Sequence, residues 1–390
     1  MPFENKPTFT GLILVSGEDR PGITESLMRT LSAFSVTIID IEQLIIRDRL
    51  LLTVLLSLDE AHKEAIAEDL DALQKQIGLD IAIDFTQQDS AMISGDTLRV
   101  VVVGNAIKPF GLAAVASQIA KLGGNISAIK RTAIEPLISI EMELNIPNNS
   151  LKEVQGSLAA VAFENKIDLA VEPGGLKRKS KRIVLLDMDS TLIEQEVINL
   201  LGQAAGKSNE IKELTDKAMS GELDFKTALI KRVSLLKGLD HKILNQVRDQ
   251  ITLTKGAKKL VDELHLQGHK VGVVSGGFIE VIEPILKHLN IDFYRANKLK
   301  IENGVLAGEI DGPVIDSLAK RIALEDFADQ EKVPLEQTVA IGDGANDLEM
   351  IKAAGLGIAF NAKPKVAAAA DTTISNQDLS TVLLLMGISI

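Results

Sequence analysis

Short apolar runs alternate with amphipathic stretches along the whole chain, and their order changes near residue 180. Up to residue 173 the pattern weakly repeats itself. Residues 10–16 read as a strand, 18–22 as a turn built on Asp19, Arg20, Pro21 and Gly22, and 23–34 as an amphipathic helix. Residues 36–46 and 50–58 read as a hairpin around Arg47-Asp48-Arg49, 61–77 as a second helix and 81–85 as a closing strand. The order then restarts, with a strand at 98–103, a turn at Pro109-Phe110-Gly111 and a helix to Leu122. Two strands follow Gly123-Gly124, then a helix at 151–165 and a strand at 167–171. Each unit is βαββαβ over about 75 residues, a ferredoxin-like pattern.

Beyond Arg182 the pattern becomes α/β. Ile183-Val184-Leu185-Leu186 reads as a buried parallel strand with Asp187 and Asp189 at its carboxyl end. A second buried strand, 270–274, runs into Ser275-Gly276-Gly277-Phe278, and a third, 338–341, runs into Gly342-Asp343-Gly344-Ala345-Asn346-Asp347. Residues 192–205 read as a helix, and 207–250 as several helices with no strand. An insertion of that kind predicts a helical cap, at about 200–255, over whatever site the strand ends form. Residues 298–310 read as a hairpin with an Asn303-Gly304 turn, and 356–360 and 372–374 as the last strands. Three domains are expected, at 1–90, 91–175 and 176–390, the last with the cap inserted.

Open α/β sheets put their ligands at the carboxyl ends of the strands, where the acids of this chain collect. Asp187 and Asp189, two residues apart, leave an extended strand on one side, and a cation or a proton relieves their repulsion. Taken alone, that stretch is equally a strand ending in a polar turn. The second acidic cluster changes the balance. Asp343 and Asp347 share the first turn of a helix if one starts there, and carboxylates from two strand ends suit Mg²⁺. Ser275 and the backbone N–H of Gly276 offer an anion site at a helix start. Lys320 precedes the third strand. In the cap, Phe225, Leu229, Arg232 and Leu236 fall on one helical face. An arginine within that stripe either binds a carboxylate or phosphate or snorkels to solvent.

Composition excludes more than it assigns. The chain has 390 residues, 46% hydrophobic and 25% charged, as expected of an ordinary globular protein. A net charge of −12 argues against nucleic acid as a partner, and the absence of cysteine excludes disulfides, thiol nucleophiles and thiolate metal sites. No run of 18 apolar residues is present to span a membrane, and residues 1–6 lack the apolar run of a signal peptide, which fits a cytoplasmic enzyme. The basic stretch 177–182 reads as solvated linker charge. None of the five histidines has metal-ligand spacing beside a motif.

Asp187-x-Asp189-x-Thr191, then Ser275, Lys320 and Gly342-Asp343-Gly-x-Asn346-Asp347, resembles the four-motif signature of the haloacid-dehalogenase-like phosphatases. Within that superfamily, Asp187-Met-Asp189-Ser-Thr-Leu-Ile-Glu-x-Glu196 and Arg232-Val-Ser-Leu-Leu-Lys-Gly-Leu239 resemble the phosphoserine phosphatases, and the likeness covers about residues 180–390. It implies a Rossmannoid parallel sheet with an inserted helical cap, and hydrolysis of O-phospho-L-serine with Mg²⁺ as cofactor. Asp187 would be the nucleophile and Asp189 the acid and base. Asp187, Asp343, Asp347 and the Asp189 carbonyl would hold the metal. Ser275, Gly276 and Lys320 would hold phosphate, with Asn346 positioning substrate. Glu196 would take the ammonium of phosphoserine and Arg232 its carboxylate. The two N-terminal units resemble ACT domains, which implies an amino-acid effector such as L-serine near Asp19 and Gly22, and a homodimer. The second unit has Lys108-Pro109-Phe110-Gly111 where the family has its ligand turn, so sensing and scaffolding both remain open. Two other functions stay possible on sequence: a phosphatase or phosphotransferase acting on another small phosphomonoester, or an amino-acid sensor with an inactive phosphatase domain.

Overall fold

The first βαββαβ unit forms as its periodicity dictates. It comprises β1 (Thr8–Glu18), α1 (Ile23–Leu31), β2 (Thr37–Ile46), β3 (Arg49–Ser57), α2 (Lys63–Ile77) and β4 (Asp80–Gln88). The computed structural model describes residues 8–88, 97–135, 137–147, 149–174, 180, 182–220 and 222–388, and they divide near residue 95 into two units. The first unit's antiparallel sheet has the order β2-β3-β1-β4. Ile13, Val15, Leu52 and Val54 of this sheet pack with Leu27 of α1 and Ile66 and Leu70 of α2. Leu12, Leu14 and Leu51 alternate with them on the other face and are exposed. Gly22 caps α1 at φ 95°, a left-handed conformation that strains other L-residues.

The second βαββαβ unit repeats the order with β5 (Thr97–Gly104), α3 (Pro109–Lys121), β6 (Asn125–Ala133), β7 (Ile138–Asn145), α4 (Leu151–Asn165) and β8 (Asp168–Pro173). Its sheet order, β6-β7-β5-β8, matches the first. Pro109, Phe110 and Gly111 are the first residues of α3 and not a separate turn, because proline at the first helical position needs no N–H and has its φ already set. α4 begins with a capping box, Ser150 and Glu153 each accepting from the other's backbone N–H.

The continuous apolar run of β5 has a physical cause. Val100 and Val102 face the unit's own helices, with Val115, Ile119 and Leu158. Val101 and Val103, with Ala170 of β8, join the core of the following domain, beside Val382 and Leu383. β5 and β8 of this sheet are therefore covered on both faces, while β6 at its edge stays largely exposed. The junction is also polar. The Thr372 hydroxyl donates to the Leu169 carbonyl at 2.8 Å, and buried Asp168 accepts from the N–H and hydroxyl of Ser375, both at 3.0 Å. Arg182, expected to be solvated, is buried and ion-paired with Glu172 of β8, because this docking encloses it. The rest of the basic stretch lies outside the described residues, apart from Ser180.

The remaining chain runs β9 (Ile183–Leu186), α5 (Val197–Ala204), α6 (Ser208–Ser220), α7 (Phe225–Ser234), α8 (Ile243–Arg248) and α9 (Ala257–Leu266). It continues through β10 (Lys270–Phe278), α10 (Ile279–His288), β11 (Phe293–Asn297), β12 (Leu299–Glu302), β13 (Val305–Ile310) and α11 (Ser317–Glu331). β14 (Thr338–Gly342), α12 (Leu348–Ala353), β15 (Leu356–Phe360), α13 (Pro364–Ala367), β16 (Thr372–Ile374) and α14 (Thr381–Leu385) complete it. A parallel sheet has the order β11-β10-β9-β14-β15-β16. β9 is central and buried on both faces: Val184 and Leu186 enter one core, Ile183 and Leu185 another with Leu324 and Phe327 of α11. The hairpin of β12 and β13 turns through Asn303 and Gly304 at φ 51° and 80°, as an Asn-Gly turn should.

Residues 192–205 are not one helix. Ser190 is left-handed at φ 56°, Ile193 and Glu196 are extended, and α5 starts only at Val197. The chain must reverse after β9, and that turn occupies the residues the apolar periodicity assigned to helix.

The shared core predicts that the second βαββαβ unit stabilises the domain after it. Val103→Asp would put an unpaired charge there and should cost about 3–5 kcal/mol. Activity and far-UV circular dichroism should then be lost together, at a lower temperature than in the wild type. An unmoved thermal midpoint for activity would show that the two parts unfold independently.

Candidate active site

Register brings three strand ends together. β9 pairs with β10 and β14, Leu186 lying opposite Val273 and Ile341, so the residues after each strand emerge at one edge. The Asp187 N–H donates to the Ile341 carbonyl at 2.9 Å, which fixes the first acid against β14. Lys320 of α11 reaches into the edge with no exposed surface, its Nζ 2.7 Å from both Asp187 Oδ1 and Asp347 Oδ1. Burial alone would lower this lysine's pKa, but the two carboxylates outweigh it and raise it. A Cβ at Gly342 would lie 2.4 Å from the Asp347 carboxyl carbon, so only glycine lets Asp347 fold back over β14.

Carboxylate oxygens of Asp187, Asp343 and Asp347 can all lie within 4.8 Å of one another. One lysine cannot balance three acids. Burial pushes Asp187 well up from the usual carboxylate range, reinforced by Asp347 and Asp343 and opposed by Lys320. Burial, then Asp347 and Glu196, push Asp343 up to about 7, against Lys320 and the Thr191 hydroxyl 3.4 Å away. An all-oxygen cluster with surplus negative charge fits a hard divalent cation.

The other candidates converge on the same edge. Asp189 stands outside the group of three, and its buried Oδ1 has no hydrogen-bond partner among the described residues. Burial and the charge of Glu196 push it well up. Its Oδ2 would lie 3.2 Å from a Cβ at Gly277, so it faces the Ser275-Gly276-Gly277 turn. Ser275 is buried, and its Oγ accepts from the Gly277 N–H at 2.8 Å. Asn346 lies against Gly344, where a Cβ would come 2.2 Å from its Oδ1. Asp343 precedes the short helical turn 345–347 and α12 begins at Leu348, so Asp343 and Asp347 do not share a helical turn as expected. Asp347 folds back instead, its Oδ2 accepting from the Gly344 N–H at 3.0 Å.

The cap closes over this edge. A Cβ at Gly276 would meet Phe225 Cζ at 3.1 Å, so the start of α7 lies on the turn. Arg232, 8% exposed, faces inward on α7, and its hydrogen bonds go to neutral oxygens: the Ala228 carbonyl at 3.3 Å and the Thr215 hydroxyl at 3.4 Å. Among the described residues no carboxylate pairs with it. Burial lowers its pKa, while Glu196 and Asp189 counter that at longer range. Glu196 accepts from the Ser190 hydroxyl at 3.0 Å. Sequence reasoning gave no role to Ser190 or Thr215, which orient Glu196 and Arg232. Ser190 sits inside the first motif, but periodicity carries no signal for Thr215. Asp19 and Gly22 belong to the first unit, where they line a cleft of about 340 Å³ with Arg20, Thr24 and Gln43.

Residues 184–352 match the model of the haloacid dehalogenase-like hydrolases, and residues 10–84 and 96–172 each match an ACT domain model. A phosphoserine phosphatase of Mycobacterium tuberculosis is 41% identical over 380 residues, 97% of this chain and 93% of that protein. One from Streptomyces coelicolor is 41% identical over 97% of this chain and 92% of its own. The chain belongs to the phosphoserine phosphatase family. A solved substrate-bound phosphoserine phosphatase shares 43% identity with a TM-score of 0.51, covering 52% of this chain and 97% of that one. A structure described as a phospho-aspartyl intermediate analogue of phosphoserine phosphatase has 43% identity and a TM-score of 0.50, over 52% and 98%. This phosphoserine phosphatase thus combines a haloacid dehalogenase-like hydrolase domain with two ACT domains. Among the described residues no helix is long and apolar enough to cross a membrane.

The raised Asp343 has a consequence for stability. The folded metal-free phosphatase holds this proton more tightly than the unfolded chain does, so stability falls as pH rises from 3.8 to about 7 and stays lower above. Asp343→Asn should remove that penalty, raising stability in chelator at pH 8 by up to about 4 kcal/mol. Mg²⁺ should raise the melting temperature of the wild type and have little effect on the variant. Equal responses of both proteins to Mg²⁺ would take Asp343 out of the cation site.

Proposed function

We propose that the chain hydrolyses O-phospho-L-serine to L-serine and phosphate, with Mg²⁺, through an aspartyl-phosphate on Asp187, as the last step of serine biosynthesis in the cytoplasm. The observation that carries this is the buried Lys320 bridging Asp187 and Asp347, with Asp343 beside them. Mg²⁺, held by Asp187, Asp343 and Asp347 and by the Asp189 carbonyl, would neutralise charge on the attacking carboxylate and the phosphoryl oxygens.

The residues of the chain do the rest. An Asp187 oxygen attacks phosphorus as the bond from phosphorus to the serine oxygen breaks. Asp189, protonated because it is buried beside Glu196, gives its proton to the departing oxygen. It then takes a proton from the water that attacks phosphorus, and the bond from phosphorus to Asp187 breaks to release phosphate. Lys320, Ser275 and the Gly276 N–H hold the phosphoryl oxygens where charge spreads, with Asn346 positioning substrate. Arg232, buried with no carboxylate partner among the described residues, takes the substrate carboxylate, and Glu196 takes the ammonium.

The first ACT domain fits an amino-acid effector, L-serine, at the cleft lined by Asp19 and Gly22. Its exposed Leu12, Leu14 and Leu51 support a homodimer formed through this domain. The second ACT domain reads as scaffold, because β5 and β8 of its sheet pack on the catalytic domain.

Arg232→Ala tests the substrate assignment. It should cost about 1.5–3 kcal/mol on phosphoserine, roughly tenfold to a few hundredfold in kcat/KM. Phosphoethanolamine, which lacks the carboxylate, should be turned over equally well by both proteins. Equal losses on the two substrates would mean that Arg232 reads phosphate or holds the cap.

A further inference from the structure

The turn after β10 is held from behind by a side chain given no role above. β10 and β11 run parallel, with Ser275 opposite Ala296 and Phe278 opposite Asn297. Gly276 and Gly277 are therefore in excess on β10, and the ladder is interrupted there. Asn297 fills the gap. It has no exposed surface, and both ends of its amide are used. Its Nδ2 donates to the Gly276 carbonyl at 2.8 Å, and its Oδ1 accepts from the Ile315 N–H at 2.8 Å.

Each arm leads to a group read above as holding the phosphoryl oxygens. The Gly276 carbonyl shares a rigid peptide plane with the Gly277 N–H, which points the opposite way. That N–H donates to Ser275 Oγ, so fixing the carbonyl fixes the Ser275 oxygen and leaves its own hydroxyl proton to donate to an anion. On the other arm, Ile315 lies five residues before Lys320 and leads into α11. A Cβ at Gly276 would sit 4.0 Å from the Ile315 carbonyl, so the two backbones run side by side.

We infer that Asn297 is a positioning residue for the phosphoryl group: it aims the Ser275 hydroxyl through the Gly276–Gly277 peptide and ties that turn to the segment delivering Lys320. This rests on the reading of Ser275, Gly276 and Lys320 as the phosphate-holding groups. Asparagine suits the place because it donates and accepts at once. A carboxylate in its place would not, since one of its oxygens would then oppose the Gly276 carbonyl.

The test uses full-length Asn297→Asp, nearly isosteric, and Asn297→Ser, which is too short to bridge both partners. Circular dichroism melting reports folding, calorimetry with inorganic phosphate and Mg²⁺ reports the anion site, and steady-state kinetics on phosphoserine report turnover. We expect folded variants whose phosphate affinity falls by at least about tenfold and whose kcat falls by about 10²-fold, the usual cost of misplacing a group by an ångström. A kcat loss with unchanged phosphate affinity would overturn the inference, because a merely structural defect leaves the anion site of folded molecules intact. Two variants that bind phosphate and turn over like the wild type would overturn it, as would failure of both to fold. A wild type that binds phosphate without cleaving phosphoserine would sink the substrate reading alone, and calorimetry would still decide the role of Asn297.

Discussion

A lysine ammonium without water is the constraint on which the rest of this structure depends. Taking Lys320 wholly out of solvent costs several kcal/mol unless opposite charge replaces the water, and Asp187 and Asp347 supply it at 2.7 Å each. The pairing serves the acids as much as the lysine. Asp187 and Asp347 come from different strand ends, and without a shared cation they would repel or take up protons. With Asp343 added the cluster keeps an excess of negative charge, which makes it receptive to a divalent ion.

The fold delivers these groups by ordinary packing. Leu185 and Ile183 of β9 share a core with Leu324 and Phe327 of α11, so burying those residues also sets the depth at which Lys320 enters. β9, β10 and β14 are in register, which turns three separate stretches of sequence into one edge. From above, the cap presents buried Arg232, which has no carboxylate partner among the described residues. From below, the second ACT domain closes the core of the catalytic domain with Val101 and Val103.

Much of the site was legible because each acid follows a short apolar run, and a buried strand announces its own carboxyl end. Asp187, Ser275 and Asp343 could be placed in this way, and Lys320 through the resemblance of the motifs. Arg232 was legible as a charge inside an apolar stripe. What periodicity missed is what depends on turns and on contacts between distant segments. Residues 192–196 have helical composition yet form the reversal after β9. Pro109-Phe110-Gly111 has turn composition yet opens a helix. Arg182 looked solvated because nothing in its neighbourhood shows that β8 will bring Glu172 to it. Asn297 ends a strand like many others, and only the two extra glycines on β10 give its amide a purpose.

Asp187, held by Lys320, is the residue we propose to receive the phosphoryl group. Mixing the enzyme with radiolabelled phosphoserine, quenching in acid within one turnover and mapping the label by mass spectrometry tests it directly. An acid-stable, hydroxylamine-sensitive phosphoryl group is expected on the peptide containing Asp187 and should be absent from Asp187→Asn. Full turnover with no labelled protein, or a label on another residue, would contradict it.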